Sequence, residues 1–158
     1  MPAMTAMSPG PDDDSAAATR SGPAPVRGAV HHIELWVPDL ARAVDEWGWL
    51  LSTLGYRVFQ QWDGGTSWQL GGDAGVYLVV EQSPAMLPGT HDRLRPGLNH
   101  LALHAGSREQ LDQLMAAAGG HGWKPLFAEK YPHAGGEQTY AGYLENSDGF
   151  EVELVAAP

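Results

Sequence analysis

The stretch His31-His32-Ile33-Glu34-Leu35-Trp36-Val37-Pro38-Asp39-Leu40 decides how the rest of the chain is read. Side chains alternate between the two faces of a strand, so His32, Glu34 and Trp36 share one face and Ile33, Leu35 and Val37 the other. Pro38 ends the strand and Asp39 is a good N-cap for the run Leu40 to Leu54. In that run Leu40, Val44, Trp47, Leu50, Leu51 and Leu54 fall on one helical face, and Gly55 supplies the stop. Strands are expected next over Tyr56–Gln61, Ser67–Leu70 and Gly75–Gln82, the last two separated by a turn at Gly71-Gly72-Asp73.

The same order returns downstream. After a patternless linker, Leu98–Ala105 reads as a strand. Ser107–Ala118 reads as a helix capped by Ser107 and ended by Gly119-Gly120. Trp123–Ala128, Thr139–Asn146 and Phe150–Ala156 read as strands, the last pair joined by the hairpin turn Ser147-Asp148-Gly149. The two halves can be laid over each other: His32-Ile-Glu-Leu on His100-Leu-Ala-Leu, Leu54-Gly55-Tyr56 on His121-Gly122-Trp123, and the strand from Gly75 on the strand from Gly149. The fold class is therefore α+β, two tandem βαβββ modules. The first spans residues 29–82 and the second 97–158, with a linker over 83–96. Residues 1–28, rich in Ala, Pro, Ser, Gly, Thr and Asp, read as a disordered tail.

Composition narrows the function. Lys plus Arg is 9 against 19 Asp plus Glu, a net charge of −10, which repels phosphate backbones and anionic lipid. Nucleic acid and membrane are thus poor partners, and a small molecule is the expected one. With no Cys, disulfides, thiolate metal sites and cysteine nucleophiles are excluded. No signal sequence or membrane-length apolar run is visible, so the expected location is cytoplasmic. Six Trp suit an aromatic-lined pocket or interface, though a packed core is the commoner use.

Two histidines, His32 and His100, stand at matched places in the two halves. In the last strand Glu151 and Glu153 share a face that ought to bury apolar groups, and a carboxylate there needs a cation or a partner. His32, His100 and Glu153 together make the two-His-one-carboxylate set that holds a divalent transition metal and leaves positions open. Packed or surface residues remain the ordinary reading of such histidines.

HHIELWVPDL, then LGY, NHLALHA and YLENSDGFEVELV resemble the vicinal oxygen chelate superfamily over about residues 30–156. That group includes glyoxalase I, fosfomycin resistance enzymes, extradiol dioxygenases and bleomycin-type resistance proteins. The resemblance implies modules that form a cupped mixed sheet, and it puts His32, His100 and Glu153 on the metal-ligand positions. The ion would be Fe, Mn, Zn, Ni or Co. The glyoxalases' fourth ligand falls on Val79, which favours a three-ligand site; Glu81, two residues on, would replace it only with a shift of register. Glu34 is expected as a general base, or else as a partner of His104 or of a ligand's second ring nitrogen. Tyr143 matches a substrate-contacting tyrosine of the fosfomycin enzymes. Trp36, Trp68, Tyr77, Glu81, His104 and Thr139 are expected to line the cup, with Trp36 and Trp68 as an aromatic wall. The loop 129–138 reads as an ordinary surface loop unless it covers the cup as a lid, and His31, His91 and His121 are expected at the surface. The resemblance implies a metal-dependent enzyme on an oxygen-rich metabolite, by isomerase, lyase, addition or ring-cleaving chemistry. The alternative it allows is a binding protein that sequesters an antibiotic or other aromatic ligand. Cups exchanged between subunits occur in the family, so a homodimer is among the expectations.

Overall fold

The computed structural model describes residues 27–71 and 75–158. Of the expected tail, residues 1–26 lie outside the described part, as do Gly72 and Asp73 of the expected turn. The chain runs β1 (His32–Trp36), α1 (Leu40–Thr53), β2 (Arg57–Trp62), β3 (Gly65–Gln69), β4 (Tyr77–Glu81), then β5 (His100–Gly106), α2 (Arg108–Ala117), β6 (Lys124–Leu126), β7 (Ala141–Glu145) and β8 (Glu151–Ala156). Strand, helix and three strands thus occur twice. The strands make two four-stranded mixed sheets, ordered β1-β4-β3-β2 and β5-β8-β7-β6. In each the first strand runs parallel to the last, and the other pairings are antiparallel.

Local chemistry sets the helix ends. The Asp39 carboxylate accepts from the Arg42 amide at 3.0 Å at the start of α1. At α2 the Ser107 hydroxyl accepts from the Gln110 amide at 3.2 Å while the Gln110 side chain accepts from the Ser107 amide at 2.8 Å, a reciprocal cap. The expected strand Trp123–Ala128 shrinks by half, to β6. It ends at Leu126 because Phe127 adopts a left-handed backbone (φ 54°) that leads into a 3₁₀ turn at Ala128–Lys130.

The two sheets share one core. Leu35, Leu78, Val80 and Trp68 from the first, and Leu144, Val152 and Leu154 from the second, pack with Ala43, Trp47, Leu50 and Leu51 of α1 and Leu111 and Leu114 of α2. The joint is α1 against the β7–β8 turn. Trp47 meets Trp123 edge-on at 5.0 Å and Phe150 at 6.1 Å. The Trp123 indole donates to the Glu46 carbonyl at 3.0 Å, and the Ser147 amide donates to the Glu46 carboxylate at 3.3 Å. Arg42 pairs with the fully buried Asp148. Because the helix-covered faces meet in this core, the other face of each sheet points away from it. Among the described residues no helix is long and apolar enough to cross a membrane.

Trp47 belongs to both modules' packing and is 1% exposed. Trp47→Ala is expected to cost about 3–5 kcal/mol and to leave a single urea transition. Two separate transitions in the variant or the parent would show that the modules fold independently.

Candidate functional site

Register places the polar side chains of the first sheet in rows. His32, Tyr77, Gln69 and Arg57 form one row across the four strands; Glu34, Val79, Ser67 and Gln60 the next; Trp36, Glu81, Gly65 and Trp62 the third. A bulge between Val58 and Gln60 also brings Phe59 against Tyr77, at 5.4 Å between ring centres. His32 stacks on Tyr77 at 4.8 Å, and its Nδ1 is 2.9 Å from Nδ1 of His31.

The second sheet does the same. His100, Ala102 and His104 share a face with Glu151, Glu153, Tyr143 and Glu145. His100 Nε2 lies 3.3 Å from Glu153 Oε2, and the Tyr143 hydroxyl donates to the other oxygen, Oε1, at 2.7 Å. Burial, with the hydrogen bond to Glu153 and its charge, pushes the Tyr143 hydroxyl up to about 12, so it remains a donor. Asn99 Oδ1 lies 2.8 Å from His100 Nδ1 and fixes the orientation of the ring, with Nε2 facing Glu153. An imidazole nitrogen and a carboxylate oxygen 3.3 Å apart form an ion pair when the ring is protonated, and the same spacing suits two ligands of one cation, since adjacent ligands with bonds of about 2.1 Å stand about 3 Å apart.

The third expected donor is elsewhere. His32 stands on the free face of the other sheet, and among the described residues no three His, Asp or Glu side chains come together as a metal-binding group. Within one chain the three expected ligands thus do not meet as one group, and of the two arrangements the sequence leaves open, a site inside one chain and a site between two, the first is not formed here. The joint between α1 and the β7–β8 turn holds the helix faces inward, which keeps the two histidine-bearing faces apart.

Other expected site residues divide. Trp36, Tyr77 and Glu81 are on the face of His32, and the register of β4 is unshifted, with Glu81 opposite Trp36 and two rows from His32. Glu34 is exposed and accepts from the Trp36 indole at 2.8 Å, in place of the expected partners. His104 is exposed at the far end of β5 from His100. Trp68 is corrected. It lies opposite Leu78 and Val58 on the helix face, 2% exposed, its ring packed at Gly48 of α1. Its large apolar area is worth more in the core than in a wetted wall. Thr139 precedes β7 and sits in the loop instead of the strand. His91 is less exposed than expected, stacked on Phe150 at 4.4 Å, whereas the exposed His121 stacks on Trp49.

Sequence reading passed over four residues here. Arg93, from the linker, reaches Glu151 at 2.8 Å and Glu145 at 3.2 Å. Burial holds the Glu151 carboxyl above its usual range, with Arg93 opposing. Asn99 orients His100, and Trp62 supplies the exposed indole that Trp68 does not. Gly135 brings the 129–138 loop onto the site: a Cβ there would lie 3.0 Å from the Tyr143 hydroxyl and 3.2 Å from Glu153 Oε1. The loop is tied to α2 by Tyr131 and Tyr140, both donating to Asp112. A lone Gly in a Gly-rich loop and an Arg in a patternless linker give no periodic signal.

Residues 31–143 match the Glyoxalase/Bleomycin resistance protein/Dioxygenase superfamily. An uncharacterised protein of Bacillus subtilis, YqjT, is 41% identical over 127 residues, 80% of this chain and 98% of its own length. The crystal structure of a glyoxalase candidate from Bacillus halodurans is 39% identical, with a TM-score of 0.76 over 83% of this chain and 97% of that one. The fosfomycin resistance protein FosX of Listeria monocytogenes, solved as a mutant with Mn(II) and a dihydroxypropylphosphonic acid, shares the fold at 14% identity, with a TM-score of 0.54 over 84% of this chain and 93% of that one. The chain belongs to the Glyoxalase/Bleomycin resistance protein/Dioxygenase superfamily, the vicinal oxygen chelate group.

Two substitutions test the local geometry. Arg93→Met leaves the carboxylate of Glu151, whose side chain is 3% exposed, without its cation. The expected loss in urea unfolding is about 2–3 kcal/mol, below the full buried-pair range because Arg93 is partly wetted. A loss under about 0.5 kcal/mol, the size of an exposed pair, would show that the linker does not anchor this face. Gly135→Val should separate Tyr143 from Glu153 at a cost of about 1–3 kcal/mol, read by thermal unfolding. An unchanged midpoint would show that the loop does not rest on the pair.

Proposed function

We propose that the protein is a divalent-metal enzyme of this superfamily, acting on a small oxygen-rich metabolite, and that a homodimer completes each site. His100 and Glu153 of one copy and His32 of the other would hold the ion. The observation that carries this reading is the 3.3 Å approach of His100 Nε2 to Glu153 Oε2 on the sheet face that points away from the core. Its first-half counterpart, His32, is exposed on the corresponding face of the first sheet. β1 and β5, the strands that carry the two histidines, are both edge strands with an unpaired side. Imidazole and carboxylate suit Mn, Fe, Co, Ni and Zn alike.

The metal, when bound, supplies a Lewis acid that stabilises negative charge on a substrate oxygen. The rest is the chain's own work. Asn99 fixes the His100 ring, and Tyr143 orients the Glu153 carboxylate through its hydrogen bond. The exposed Glu34, two residues from His32, is the proton acceptor, held in place by the Trp36 indole. Gly135 brings backbone over the Tyr143–Glu153 pair and limits water there. Isomerase, lyase, addition and ring-cleaving reactions all use such an arrangement. A second reading, ligand binding without chemistry, draws support from the exposed aromatics Trp36, Phe59 and Trp62.

Mixed dimers test the two-copy site. His32→Ala and His100→Ala proteins should each lack tightly bound metal. A dimer containing one chain of each, isolated with two tags, should bind about one ion, because one site then has both substitutions and the other neither. Metal-free mixed dimers, or full metal in either single variant, would refute the shared site. Tight ligand binding that survives His100→Ala in metal-free protein would favour the binding-protein reading.

A further inference from the structure

We propose that Trp36, Glu81 and Trp62 form a subsite for an organic cation, a quaternary or protonated amine. The third row of the first sheet runs Trp36, Glu81, Gly65, Trp62 across β1, β4, β3 and β2. Gly65 has no side chain, and the Trp62 indole lies over it. A Cβ on Gly65 would come 2.3 Å from Cζ2 and 2.6 Å from Cε2 of that ring, so only glycine admits it. The indole thereby moves one strand inward, and in the row Glu81 stands between it and Trp36, whose indole nitrogen donates to Glu34. Strands lie about 4.8 Å apart, so Trp36 and Gly65 are separated by about 9.6 Å. That width accepts one small ammonium group between aromatic walls, each within about 6 Å of the charge.

Charge decides among possible occupants. Among the described residues no hydrogen bond or ion pair engages the Glu81 carboxylate. Glu34 sits one row away and is engaged by the Trp36 indole. Arg57 lies two rows away, opposite Gln69, and Arg95 of the linker, which lines the same cavity as Glu34 and Trp36, is already paired with Asp92 at 3.0 Å. A neutral apolar group laid between the indoles would strip water from Glu81 without replacing it, and an anion would be repelled. A cation both satisfies the carboxylate and uses the two ring faces. The exposure of the walls, 44% for Trp36 and 42% for Trp62, leaves that area to be covered.

Trp36 is four residues from His32 along β1, about 13 Å. If the metal reading holds, and this clause alone rests on it, the substrate is elongated, with chelating oxygens at one end and the amine at the other.

The test uses the full chain, choline and its neutral isostere 3,3-dimethylbutan-1-ol, at matched ionic strength. Binding is followed by tryptophan quenching and by broadening of the ligand methyl resonance. Choline should bind saturably and at least about tenfold more tightly than the alcohol, the scale of one desolvated cation–π contact. Trp36→Ala, Trp62→Ala and Glu81→Gln should each weaken choline by about three- to thirtyfold, and Trp36→Phe should restore part of the loss. His100→Ala, which removes the proposed metal, should bind choline like the parent, so the two proposals fail separately. Equal binding of choline and alcohol, no binding of either, or full choline affinity in Glu81→Gln overturns the subsite. So does a row that choline cannot quench because a second copy covers it.

Discussion

The docking of α1 onto the β7–β8 turn is the constraint from which the rest follows. Trp47 fills the space beside Trp123 and Phe150, Arg42 reaches the buried Asp148, and Glu46 engages Ser147 and the Trp123 indole. Removing a partner from any of these would leave a cavity or a buried polar group without compensation. With the joint made, the helix-covered faces of both sheets are committed to one core. The faces that carry His32 and His100 are committed to the outside.

On the proposed reading each outside face is half of a binding surface. The second half is polar and partly organised: His100 is oriented by Asn99, Glu153 by Tyr143, and Glu151 is held by Arg93 from the linker. The first half is more aromatic, with Tyr77 under His32 and two exposed indoles at the other end. A polar half proposed to hold an ion and a flatter, aromatic half are complementary in chemistry, which is why the proposed site draws on both.

Much of the fold was legible because it is written in periods. The alternation in His32–Trp36, the apolar stripe of α1, the caps at Asp39 and Ser107 and the turn at Ser147-Asp148-Gly149 are local signals, and the repeat doubled each one. Parity also placed Glu151 and Glu153 on one face, as the register has it. What failed depended on distance or on a single residue. Trp68 falls on the helix face because its register partner is Leu78 and not Tyr77 or Val79, and nothing local says that an indole there packs at Gly48. The hairpin turn was visible, but its service as the socket for α1 was not, since Arg42 and Asp148 are far apart along the chain. Arg93, Asn99 and Gly135 act by contact across the fold and leave no periodic mark. Whether His32 and His100 meet is set by how the modules pack, which the resemblance left open.

The assembly of the ion site across two copies is most directly read by native mass spectrometry of the wild-type protein loaded with cobalt(II). Dimers should carry two ions, one for each His32 with the opposite His100 and Glu153, and monomers released by dilution should carry none. A monomer that retains its cobalt would contradict the shared site.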